Sequence, residues 1–356
     1  MLTDPQVFDD GRLPRRLQHR GSEVKTLARA FEPALHGDRA QDVLLSGPSG
    51  VGKTTLTRYT LERSTKHGHI QSAYVPCLGL TTAGILRSVL KQLPGPDPGP
   101  TTPREDLDLQ LYDRVDEPAI IILDEADAVT DTTAVQRLCD TDLLSVVVIS
   151  HDPHRWLTQA DFRARRYMER GQGLRLEHFS TSELVDILAA RARRGLRDGA
   201  IDESQLGLIA RGTAGVARYG IQSLRAAAVL AGDRGHDTIR DEDIHDGFER
   251  AKLRMLRLNL RSLPVHHHVL YEIVREAGRI QPRDLYDRYE EIAARVYDGR
   301  ETVPVDGRQR RNALSKLRAY DLIDYDGPDN QYREYYVTHE EIESPLDLAV
   351  GQQQQH

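Results

Sequence analysis

The chain has 356 residues, 39% of them hydrophobic and 29% charged, with a formal net charge of −7. That length accommodates two or three domains with proper cores, and no apolar run approaches the roughly 20 residues that span a bilayer. The acidic balance excludes a general affinity for nucleic acid, so any such affinity must come from local patches. Asp4, Asp9 and Asp10, without an apolar segment, do not read as a secretory signal. Cys77 and Cys139 stand in apolar contexts at no metal spacing and read as reduced core thiols.

In chain order, residues 1–20 form an irregular arm. A helix follows from Ser22, with Val24, Leu27, Ala28, Phe31 and Leu35 on one face. Short apolar strands are expected at 42–47, 72–77, 119–127 and 143–151. Helices at 53–65 and 82–93 separate the first of them, and the proline-rich stretch 94–100 can only be a loop. Apolar strands alternating with helices imply a parallel sheet covered on both faces, with ligands at the carboxyl ends of the strands. This α/β domain spans 21–178. From 179 to 256 the pattern is all helical, opened by the capping box Ser180–Glu183. Residues 257–345 carry three helices, near 265–277, 282–296 and 308–320, and two strands flanking a turn at 326–330. The glutamine-rich tail 346–356 reads as disordered.

Gly47-Pro48-Ser49-Gly50-Val51-Gly52-Lys53-Thr54 matches the phosphate-loop pattern, with a strand before it and a helix after it. Its backbone amides, continued by Thr55, are suited to ATP or ADP phosphates. Lys53 reaches the β- and γ-phosphates, and Thr54 ligates Mg²⁺. Asp124 ends an apolar strand, where a carboxylate is costly unless it meets a cation, and it is assigned to the same Mg²⁺. Glu125 orients the attacking water. His151 ends the next strand beside the γ-phosphate. Among the arginines after Phe162, one is expected to reach a nucleotide, its own or a neighbouring subunit's. Arg218 opens a lid helix and can fold back onto the γ-phosphate. On the helix 308–320, Arg308, Arg311, Ser315 and Arg318 gather opposite Ala313, Leu314 and Leu317, with Asn312 and Lys316 at the edge. Arg310 is added to this basic set as a DNA-binding candidate. A basic helix followed by a hairpin is the layout of a winged helix. His266, His267 and His268 point about 100° apart on a helix and do not converge on a metal.

The order of these features resembles the archaeal origin-recognition initiator family, a branch of the AAA+ ATPases. "LPRRLQHRGSEVKTLARAF", "LRSLPVHHHVLYEIV" and "RRNALSKLRAYDLIDYD" carry the more specific likeness. The resemblance implies an α/β P-loop AAA+ domain with an all-α lid and a C-terminal winged helix. It implies an adenine pocket lined by His19 and Arg20, Arg163 as the arginine before the lid, and Arg218 as the lid arginine that senses nucleotide. Duplex origin DNA, the replicative helicase and paralogous initiators are the implied partners, with no membrane and a cytoplasmic, nucleoid-associated location. Helix 82–93 and its proline loop occupy the place of a family DNA-contacting insertion. Two departures stand out: His151 replaces the usual Asn, and the lid motif Gly-Asp-x-Arg reads Gly215-Val216-Ala217-Arg218. Both imply slow hydrolysis in a divergent paralogue. A DNA-binding regulator switched by ATP without helicase recruitment, a branch-migration motor and a protein-interaction ATPase share parts of this layout and stay open.

Overall fold

The computed structural model describes residues 1–66, 68–129, 131–299, 303–327 and 333–346. They divide into two compact units, one ending at Phe248 and the other beginning at Glu249. In the first, α1 (Gly21–Leu35), β1 (Val43–Ser46), α2 (Lys53–Ser64), β2 (Gln71–Pro76), α3 (Thr82–Leu90) and α4 (Arg104–Arg114) lead to β3 (Ala119–Asp124). Then come α5 (Thr133–Asp140), β4 (Leu144–Ser150), α6 (Pro153–Gln159), α7 (Phe162–Arg170) and β5 (Gln172–Arg175). All five strands are parallel, in the order β2-β3-β4-β1-β5.

The central strands are buried throughout and mostly apolar because both of their faces are covered. Ile121, Leu123, Val146 and Val148 pack into one core with residues of α3, α4, α5 and α7. Their neighbours Ile120, Ile122, Val147 and Ile149 point the other way, into a core shared with α1 and α2. Edge strand β5 lies outside the apolar reading, since its residues alternate between half-buried and exposed and pair with β1 alone. The order β3-β4-β1 sets three polar strand ends side by side, at Asp124, Ser150 and Ser46.

The lid follows as α8 (Thr181–Gly195), α9 (Glu203–Gly212), α10 (Ala217–Asp233) and α11 (Asp241–Arg261). The capping box forms as expected, with Ser180 accepting from the Glu183 amide and Glu183 capping in return. The N-terminal arm is not a separate segment. Leu2 bridges to Leu196, Pro5–Phe8 form a helical turn, and Val7 and Phe8 are buried in the lid core beside Leu184, Leu188 and Leu224. Gly195 has no side chain because the Phe8 ring occupies the place of its Cβ.

α11 runs on to Arg261, past position 256, because no glycine or proline interrupts the helical pattern from Lys252 until Pro264. The second unit contains α12 (Val265–Ala277), α13 (Pro282–Val296) and α14 (Gly307–Ala319), then the antiparallel pair β6 (Ile323–Asp326) and β7 (Glu334–Val337). Val269, Ile273, Leu285, Leu314, Leu317 and Ile323 are buried there. Most of the expected turn between the two strands, and the tail beyond Leu346, lie outside the described residues.

Truncating a fully buried aromatic costs about 3–5 kcal/mol. Phe8→Ala should therefore lower the denaturation free energy of the first unit by about 3 kcal/mol, measured by urea unfolding followed through Trp156. A loss below about 0.5 kcal/mol, the level of an ordinary surface change, would mean that the arm does not belong to the lid core.

Candidate functional site

The glycine loop between β1 and α2 runs close beneath the lid. Gly50 has φ +74, and a Cβ there would stand 2.7 Å from Val216 Cγ1. The Arg218 amide donates to the Gly50 carbonyl at 3.2 Å. Gly52 caps α2 in the left-handed region, with φ +93, so the amides of the first turn of α2 open onto the loop. Lys53 Nζ donates to the carbonyls of Gly47 and Pro48 at 2.6 and 2.7 Å and stands 3.4 Å from His151 Nδ1. Gly47 and Pro48 thus contribute their carbonyls, while residues 49–55 form the wall of a cavity of about 460 Å³.

Asp124 is buried at the end of β3 and is met by donors. Its Oδ2 accepts from Thr54 Oγ1 at 2.6 Å and from Tyr74 Oη at 2.8 Å, and its Oδ1 accepts from the Glu125 amide at 2.9 Å. Burial and the Asp124 charge push the Tyr74 phenol up from its ordinary range, so the phenol remains a donor at physiological pH. Glu125 sits at φ +54, an unusual conformation for a residue with a side chain, and lines the same cavity. Asp127 fixes the neighbouring strand end by accepting from Ser150 Oγ and from the His151 amide, both at 2.7 Å. His151 lines the cavity too.

Arm and lid supply the other walls. Arg20 stacks on Phe179, 3.9 Å from its ring centroid, and donates to the Glu177 carbonyl at 2.6 Å. Arg12, Arg15, Arg16, Arg191, Arg194 and Arg218 also line the cavity, with Phe8, Ile187 and Ile221 as its apolar patch. His19, at φ +55, pairs through Nε2 with Asp186 of α8 at 2.9 Å and lines a cleft adjoining this cavity. α7 buries Ala164 and Met168 against the α3–α5 face, which leaves Arg163 exposed beside Asp140 at 3.2 Å and outside the cavity of its own chain.

Tyr74, Asp127 and the arm arginines are the residues that sequence reasoning missed. Tyr74 looks like any strand tyrosine, and the arm reaches the lid across more than 170 residues. Asp127 was visible in "LDEAD" but had no partner to reveal it.

In the second unit, Arg308, Arg311, Asn312 and Ser315 are exposed on one side of α14. Lys316 lies over the Tyr320 ring, and Arg318 pairs with Asp324 while stacking on Tyr325. Arg333 stacks on Tyr325 as well. Arg310 is turned inward, against the rings of Tyr286 and Tyr289 and 2.8 Å from Glu290. It holds α14 to α13 and does not belong to the exposed basic face. In the first unit, Arg87 donates to the Gly99 and Thr102 carbonyls and Arg114 to the Pro96 carbonyl, so both are engaged by the proline-rich loop and its exit.

Comparison with known proteins agrees with this architecture. Residues 16–149 match the AAA ATPase domain family and residues 185–249 match the Cdc6 AAA+ ATPase-type lid domain. ORC1-type DNA replication protein 9 of Halobacterium salinarum is 31% identical, over 94% of this chain and 93% of its own length. ORC1-type DNA replication protein 1 of the same organism is 30% identical, over 81% and 95%. The chain belongs to the ORC1-type DNA replication protein family. Among solved structures, Aeropyrum pernix ORC1 in complex with DNA shares the fold with a TM-score of 0.72. It is 22% identical, and the match covers 95% of this chain and 94% of that one. Aeropyrum pernix ORC2, solved as ADPNP–ADP complexes, follows with a TM-score of 0.62, the same identity and the same coverage.

The site of this AAA+ member fits a magnesium nucleotide on its own chemistry. A hydroxyl and a carboxylate 2.6 Å apart offer the oxygen donors that Mg²⁺ takes, and the cationic cavity above them suits phosphates. Asp124→Asn should weaken ATP binding about tenfold with Mg²⁺ present and change little in EDTA, read by fluorescent-nucleotide titration. Equal losses in both conditions would remove Asp124 from the metal site.

Proposed function

We propose that this chain is an ATP-binding, slowly hydrolysing initiator that binds duplex DNA at a replication origin and helps recruit the replicative helicase. The observation that carries this reading is the convergence of Lys53, Thr54, Asp124, Glu125, His151 and Arg218 on one cavity, in a chain of the ORC1-type family. Bound nucleotide and Mg²⁺ would supply the phosphoryl group and its charge neutralisation. Lys53 would grip the phosphates, and Thr54 and Asp124 would hold the metal. Glu125 would orient a water, with His151 beside it, and Arg218 would distinguish a triphosphate from a diphosphate. His151, in place of an amide side chain, supports slow turnover. Arg163 is retained as a contact to the nucleotide of a neighbouring subunit, which suits its exposed position.

We read the second unit as a winged helix. The exposed face of α14 would enter the major groove, and the β6–β7 hairpin, with Arg318 and Arg333 stacked on Tyr325, would meet the sugar–phosphate backbone. The nucleotide state of the first unit would govern this grip. Each phosphate contact made by an arginine should steepen the salt dependence of binding by roughly one unit of log–log slope. Arg308→Glu with Arg311→Glu is therefore expected to abolish the shift of origin duplex at fixed salt while ATP uptake is retained. Unchanged affinity in that gel titration would reject α14 as the DNA-contacting helix.

A further inference from the structure

Arg218 leaves α10 directly over the glycine loop, since its own amide is bonded to Gly50 O. Its side chain meets a carboxylate from outside the lid. Position 216, two residues before it, is a valine whose methyl group faces Gly50. The carboxylate at this place is Asp10, from the N-terminal arm. Arg218 Nε donates to Asp10 Oδ2 at 2.8 Å, and Gln222 Nε2 donates to Asp10 Oδ1 at 3.1 Å. Both donors belong to α10 and are one turn apart, so the carboxylate is held through both of its oxygens by the helix that carries the arginine.

The arm has little freedom to move away. Gln222 is buried and also donates to the Phe8 carbonyl at 2.8 Å, while Val7 and Phe8 are fixed in the lid core. Asp10, Arg218, Ser49 and Gly50 line the same cavity. The Arg218 side chain is about one-third exposed, and holding so long a stem in one rotamer costs conformational entropy that a fixed carboxylate offsets.

We propose that Asp10 is the positioning residue for Arg218, an arm-borne carboxylate that fixes the guanidinium for the terminal phosphate of a bound nucleoside triphosphate. This rests on the nucleotide-binding reading above. Asp10 acts through Arg218, so its removal should be felt by ATP and not by ADP. It should also be felt only while Arg218 is present.

The test is equilibrium titration of the full chain with ATP and with ADP, in Mg²⁺, for the unmodified chain, Asp10→Asn, Asp10→Ser, Asp10→Glu, Arg218→Ala and the double variant Asp10→Asn/Arg218→Ala. Thermal melts accompany each variant, and Asp10→Ser stands in should Asp10→Asn fail to fold. Asp10→Asn is expected to weaken ATP about fivefold or more with ADP within about twofold, and to add nothing once Arg218 is alanine. Asp10→Glu should recover most of the loss. Equal weakening of both nucleotides, or effects that add in the double variant, would reduce Asp10 to a structural or independent contact and overturn the proposal. ATP uptake that Asp10→Asn leaves unchanged overturns it alone. Absence of any uptake by the unmodified chain overturns the nucleotide reading, and this inference with it.

Discussion

A carboxylate at the end of a fully buried strand is tolerable only where donors or a cation meet it. Asp124 is that group here, and much of the first unit is arranged around it. The strand order brings β1 and its glycine loop near β3 and delivers the Thr54 hydroxyl to the carboxylate at 2.6 Å. β2, on the other side of β3, delivers the Tyr74 hydroxyl. Asp127 then fixes the end of β4, so that His151 stands beside Lys53. Two acids three positions apart thus do different work: Asp124 gathers the Thr54 and Tyr74 hydroxyls, and Asp127 holds the wall.

The lid closes this arrangement from above by backbone contact. Gly50 can have no side chain because the first turn of α10 rests on it. The N-terminal arm crosses beneath the same helix and contributes Asp10, Arg12 and Arg16 to the cavity. A ligand in this cavity would touch sheet, lid and arm together, and could shift their arrangement only by binding one arrangement better than another.

Much of this was legible in the chain. The phosphate loop is plain because its glycines, lysine and threonine stand at fixed offsets between a strand and a helix. The buried strands are plain because neither face meets water. What sequence could not disclose was long-range. Val7 and Phe8 are two of the few apolar residues scattered along the arm without a periodic pattern, and only the lid, far along the chain, gives them a core. β5 is an edge strand and lacks the apolar run. Arg310 was misplaced by its charge, although it lies four and seven residues before Leu314 and Leu317 and so shares their inward stripe. Its guanidinium is accommodated by two tyrosine rings and Glu290, which periodicity alone does not foretell.

The central claim is that the first unit holds a nucleotide through its glycine loop. Calorimetric titration of ATP into the intact chain, beside Lys53→Ala, tests it most directly. The account predicts one site of micromolar strength or better in the parent and a loss of about a hundredfold in the variant, the weight of a charge-assisted contact to phosphate. Heats that are absent from the parent, or equal in both proteins, would contradict it.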